Sequence, residues 1–90
     1  MSELRTIKES VINFLSLPKE VALDLPLLTA TGRNEVTIEN YKNLIEFTET
    51  KIRVRAKDGT MIISGEQLKL RHITTENVLV SGIISQINYT

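Results

Sequence analysis

Among the residues able to move a proton or bind a metal, the chain has a single imidazole, His72, and eleven carboxylates, of which Glu46 and Glu49 stand three positions apart as a candidate acid/base pair. A metal site needs several ligands at suitable geometry, and the carboxylates nearest His72 in sequence are Glu66 and Glu76. His72 follows Leu68 and Leu70 in strand parity and reads as a rim residue. A general acid/base pair needs a cleft that drives two carboxyl pKa values apart, and nothing around Glu46 and Glu49 supplies one. Ser16-Leu17-Pro18-Lys19 has the S-x-x-K spacing of acylating serine enzymes, but the S-D-N and K-T-G partners are missing and Pro18 interrupts the helix that would align serine with lysine. Gly32, Gly59, Gly65 and Gly82 are isolated, so they form no phosphate-cradling loop. Without cysteine there is no thiolate, disulfide or zinc-finger ligand set. The expectation is no catalytic residue, no metal and no cofactor.

Cations carry the remaining signal. In KIRVRAKDGTMIISG, Lys51 to Gly65, basic residues alternate with aliphatic ones up to an Asp-Gly pair. Eleven basic residues balance eleven acidic ones, so electrostatic recognition has to be local rather than a field of the whole protein.

The elements that would position these residues follow from periodicity. Ninety residues, 41% of them hydrophobic, suffice for one small core. Leu4, Ile7, Val11, Phe14 and Leu15 recur at helical spacing, which predicts an amphipathic helix over residues 1–16, and residues 17–26 read as a linker. No apolar run reaches the ~20 residues of a membrane span, and the charged N-terminus is unlike a secretory signal. These features predict a soluble intracellular domain. From residue 27 to residue 90 the sequence breaks into short β-like runs, LLTAT, EVTIE, LIEFT, KIRVRA, TMIIS, QLKLRHI, NVLVSGI and ISQINY. That spacing predicts an all-β fold, a small antiparallel sandwich-like meander beside the one short helix. A bulge or bend is expected at Gly82, where the inward set changes parity.

Residues directly opposite in an antiparallel pair share a face. A two-residue turn at Asp58-Gly59 pairs Val54 with Ile63, one at Glu49-Thr50 pairs Phe47 with Ile52, and one at Gly65-Glu66 pairs Ile63 with Leu68. A further turn at Asn40 to Asn43 puts EVTIE at the edge. The inner face then holds Ile45, Phe47, Ile52, Val54, Met61, Ile63, Leu68 and Leu70, and Glu46 lies opposite Arg53 as a cross-strand ion pair. Outward, Leu44, Arg55, Ile62 and Lys69 form one mixed apolar and basic row across four strands, flanked by Lys51, Arg53, Lys57 and Arg71. Such a row suits protein contact, since long cationic stems cover apolar surface while their charge stays wet. Phosphate neutralisation is the competing use, although the face carries no aromatic residue for base stacking.

Several short motifs in order resemble the YabP/YqfC family of sporulation proteins, its YqfC branch above all. They are L-D-L-P at Leu23 to Pro26, I-E-N at Ile38 to Asn40, I-E-F-T at Ile45 to Thr48, the D-G turn, I-x-G-x-x-L at Ile63 to Leu68, and V-x-G-x-I-x-x-I-x-Y at Val80 to Tyr89. The chain departs after Asn40, where relatives commonly read His, a basic residue and Gly; here stand Tyr41, Lys42 and Asn43. The resemblance implies a small β-rich, non-enzymatic protein, made in the mother cell of an endospore-forming bacterium and needed for spore coat or cortex development. It implies a cytoplasmic location in that cell and contacts with other sporulation proteins. Whether a membrane-bound protein or a second copy of the chain is among the partners stays open, as does a basic-faced module binding nucleic acid or an anionic surface.

Overall fold

The computed structural model describes residues 23–90, in which six strands make one antiparallel sheet. The predicted helix over 1–16 and most of the linker lie outside the described residues. The strands are β1 (Leu27–Thr31), β2 (Glu35–Glu39), β3 (Asn43–Phe47), β4 (Lys51–Ala56), β5 (Gly59–Ile73) and β6 (Asn77–Tyr89). The expectation of an all-β chain holds for these residues, and the meander does not. The order across the sheet is β1-β2-β6-β5-β4-β3, so β6 enters between β2 and β5.

Four runs expected as separate strands are two long ones. TMIIS and QLKLRHI continue as β5, NVLVSGI and ISQINY as β6. The expected turn at Gly65-Glu66 is absent, because both residues are paired with β6. EVTIE is consequently not beside LIEFT but lies between β1 and β6.

That order forces the sheet to fold over. In a flat sheet β2 and β3 would be four strand spacings apart, roughly 19 Å, yet the step from Glu39 to Asn43 spans at most about 14 Å of chain. β2 also ends beside the start of β6, whereas β3 begins beside Arg55, next to the start of β5. The link holds both places at once: the Asn40 N–H donates to the Glu76 carbonyl at 2.7 Å and the Lys42 N–H to the Arg55 carbonyl at 2.7 Å. The β5–β6 ribbon therefore bends along its length and closes on one core.

The bend is written in register slips, which lie between Ser64 and Gly65, between Glu66 and Lys69, and between Leu70 and His72. Each slip leaves an extra residue on one strand, which kinks the ladder. The second slip moves the inward set of β5 from Met61 and Ile63 to Leu68 and Leu70, so both halves of the ribbon present apolar side chains to the same interior. Glycine permits the close approach. A β-carbon on Gly82, whose φ is 141°, would lie 2.7 Å from the Gln67 carbonyl oxygen and 2.9 Å from Leu68 Cα. The bend expected at Gly82 is thus present.

Val36, Ile38, Tyr41, Ile52, Val54, Met61, Ile63, Leu68, Val78 and Val80 are buried together. Full burial of an aliphatic side chain of this size contributes about 1.5–3 kcal/mol. Of the predicted inner face, Ile52, Val54, Met61, Ile63 and Leu68 are buried and Leu70 packs partly against them. Ile45 and Phe47 are corrections, at 37% and 45% exposure. Ile45 is displaced by a bulge between Leu44 and Glu46, and Phe47, although opposite Ile52 as expected, lies on the last strand of the sheet.

The β4–β5 turn is also displaced. Lys57 and Asp58 form it, and Gly59 is the first paired residue of β5, opposite Ala56. Neither turn residue has positive φ, so the turn is not type I′. Gly59 has φ 148°, with the Thr90 carbonyl packed where a β-carbon would stand. The glycine is needed for that approach rather than for the turn itself.

Candidate interaction surface

Outward residues of β4 alternate with the buried Ile52, Val54 and Ala56, which fixes Lys51, Arg53 and Arg55 on the far side of the strand from the core. Because the turn moves by one residue, the pairing register shifts by two and each outward residue acquires a new neighbour. Arg53 is opposite Ile62, and Arg55 is opposite Thr60. The row that crosses this half of the sheet is therefore Glu46, Arg53, Ile62 and Asn88. It is flanked by Lys51 with Ser64 and Gln86 on one side, and by Asn43 with Arg55 and Thr60 on the other.

The predicted row of Leu44, Arg55, Ile62 and Lys69 is not brought together. The Ile45 bulge sets Leu44 opposite Val54 and turns it onto the core. Lys69 pairs with Ser81 beyond the bend, seven positions along the same strand from Ile62 rather than across from it. Lys57 occupies the turn, and Arg71 is the extra residue of the slip between Leu70 and His72. The six cations assigned to one face are thus split between the two halves of the folded sheet. Strand alternation located the outward side chains; it could not locate the bend.

The Glu46–Arg53 ion pair forms as the arithmetic required, with Arg53 Nη1 donating to Glu46 Oε1 at 3.5 Å. Both side chains are about two fifths exposed, and pairs of this kind contribute about 0–1 kcal/mol. The effect on recognition is larger than on stability, because Glu46 cancels the middle charge of the β4 stripe.

His72 is exposed and opposite Leu79 at the slip after Leu70. Glu76 supplies its backbone carbonyl to the β2–β3 link. Among the described residues there is no group of three or more metal-ligating side chains. An open groove of about 690 Å³ runs between the β1–β2 turn and the bend, lined by Asn34, Glu35, Gln67, Arg71, Ser81 and Ile83 among others. It sets one cation against one anion and offers no single charge to a ligand. No helix among the described residues is long and apolar enough to cross a membrane.

A polar clasp that the sequence reading missed joins two of its motifs. Asp24, from L-D-L-P, accepts from Lys42 Nζ at 2.8 Å and from Asn40 Nδ2 at 3.1 Å, and the same Asn40 amide donates to the Leu25 carbonyl at 3.0 Å. Asn40, from I-E-N, has φ 62°, a conformation asparagine tolerates better than most residues. The Lys42 hydrogen bond, helped by that of Asn40, holds the Asp24 carboxyl below its ordinary pKa. Next along the link, Tyr41 is buried and its hydroxyl donates to the Thr74 carbonyl. The clasp ties the segment entering β1 to the link between β2 and β3.

A family model described as the YabP family matches residues 26–90, a span that contains all six strands. A Bacillus subtilis (strain 168) protein named "Uncharacterized protein YqfC" is 37% identical over 75 residues, covering 83% of this chain and 81% of that one.

Proposed function

The chain belongs to the YabP family, and on that premise we propose that it is a non-enzymatic protein of spore formation, acting by protein contact in coat or cortex development in the mother-cell cytoplasm. The observation that carries the reading is the outer face of β4 and its neighbours. There Ile62, half-buried, is set between outward Arg53 and Asn88, with Lys51 and Arg55 alongside. A mixed row of this kind, on a continuous sheet surface, suits a protein partner whose apolar patch is ringed by acidic groups.

The second reading, a basic module for nucleic acid or an anionic surface, is favoured by the same three outward cations on one strand. Against it stand Glu46, which pairs with Arg53, and the removal of Lys69 from that half of the sheet.

The test is made in an endospore-forming host. Deleting the gene should give spores with a defective coat or cortex, and an Arg53→Glu, Ile62→Asp variant that accumulates normally should fail to restore them. Normal spores from the deletion strain would remove the sporulation role, whereas full rescue by the variant would remove this surface. Retention on DNA or RNA that weakens steeply between low and moderate salt would favour the second reading.

A further inference from the structure

β1 lies at one margin of the sheet, and among the described residues no strand pairs with its outer edge. The two margins are built differently. β3, at the other margin, is bulged at Ile45 and carries Glu46, and bulges and charges are the devices that discourage a further strand from adding. β1 is Leu27, Leu28, Thr29, Ala30 and Thr31, with unbroken one-to-one pairing to β2 and neither charge nor proline. Thr29, Ala30 and Thr31 are exposed, and Leu27 is at 37%.

We infer that β1 is a docking edge for β1 of a second copy of this chain, paired antiparallel about a two-fold axis through Thr29. The occupant follows from the sequence of the strand. Reversal about Thr29 sets Thr29 opposite Thr29, large Leu28 opposite small Ala30, and Leu27 opposite Thr31. Every side chain keeps its face, and since β1 is uncharged no like charges meet. A head-to-tail alternative, β1 of one copy against β3 of the next, would propagate as an open filament, and the bulge at Ile45 breaks the ladder it requires. The self-paired arrangement closes at two copies and joins the two sheets into one.

A five-residue edge buries little area, which puts this dimer with small, transient interfaces of less than about 1,200 Å². Its population should therefore rise with concentration. The inference goes beyond the proposed sporulation role and does not rest on it.

The absence of cysteine from the natural sequence allows a direct test on the full chain. Thr29→Cys should form a disulfide-linked dimer on mild oxidation, because cross-strand Cα separations of about 4.5–5.5 Å fall within disulfide range. Asp58→Cys, in the β4–β5 turn, should cross-link much less at the same concentration. In sedimentation equilibrium the wild-type mass should rise from 10.2 kDa towards twice that value. Thr29→Lys and Thr29→Glu should each remain monomeric, and an equimolar mixture of the two should regain the doubled mass. A wild-type chain that stays monomeric throughout, equal cross-linking at residues 29 and 58, or a mixture that fails to associate while both variants are folded would each overturn the inference.

Discussion

Gln67 and Gly82 meet across the β5–β6 ladder, both with positive φ, 54° and 141°, and the Gln67 carbonyl oxygen lies 2.7 Å from where a β-carbon of Gly82 would stand. This contact lies at the second of the three register slips along which the ribbon bends. Backbone packed this closely should be sensitive to an added methyl group.

Gly82→Ala should destabilise the chain by about 1–3 kcal/mol or more, since the methyl meets backbone that cannot swing aside and φ is unfavourable. Gly65→Ala should do likewise, because the Ile83 carbonyl occupies the place of its β-carbon. Gly32→Ala is the control. Its φ is 58° with nothing within 4 Å, so it should lose only the left-handed backbone cost, about 1 kcal/mol. Urea midpoints at constant m-value measure all three, and equal losses at Gly32 and Gly82 would contradict the close-approach account.

Tyr41→Phe removes the hydroxyl that ties the β2–β3 link to the Thr74 carbonyl and leaves the ring in the core. The expected loss is about 0.5–1.5 kcal/mol. Amide exchange around Thr74 to Asn77 should quicken by more than the global loss explains. Uniform change across the sheet would mean that the bond does not hold the hairpin locally.

The Asp24 clasp predicts an acid-side effect. Its folded pKa is depressed below the ordinary value of 3.8 by Lys42 and Asn40, so its stabilisation is fully present above that value and is lost as pH falls through the lower folded pKa. Asp24→Asn should be less stable than wild type at neutral pH, and the gap should close on acidification below pH 3.8. The effect is modest and salt-sensitive because the clasp is exposed. Urea midpoints of both proteins across the acid range test it, and a gap that widens on acidification has the wrong sign.

Burial ranks two residues that alternation treats alike. Ile63 is fully buried, whereas Phe47 is 45% exposed. Ile63→Ala should therefore be the more damaging, about 2–5 kcal/mol, and Phe47→Ala should fall well below the usual cost of a core aromatic. Thermal or urea unfolding of the two variants compares them directly; a reversed order would show that the β3 margin is covered.

Much of this was legible in sequence, and the reason is local. Strand alternation has a period of two, so Ile52, Val54, Met61 and Ile63 could be assigned to the core and Arg53 and Arg55 to the outside before any partner was known. Moving the β4–β5 turn by one residue shifted the pairing by two, an even number, and left every one of those faces unchanged. It did alter the neighbours, placing Ile62 beside Arg53 rather than Arg55. The candidate contact row was a statement about neighbours and went with the register, while Glu46 opposite Arg53 survived because the β3–β4 turn was placed correctly.

The sequence by itself determined an all-β chain from Leu27 onward, the inward and outward residues of KIRVRA and TMIIS, a bend at Gly82 and membership in the motif pattern of one family. Only the tertiary structure decided that β5 runs through Gly65 without turning, that β6 lies between β2 and β5, and that Lys69 stands on the other half of the sheet from Arg53. The physical reason is range. Side-chain alternation and turn chemistry act over a few residues, whereas a strand's choice of partner is settled by which closure buries Val36, Ile38, Val78 and Val80 against Ile52, Val54 and Ile63. The link from Glu39 to Asn43 is too short to permit a flat alternative.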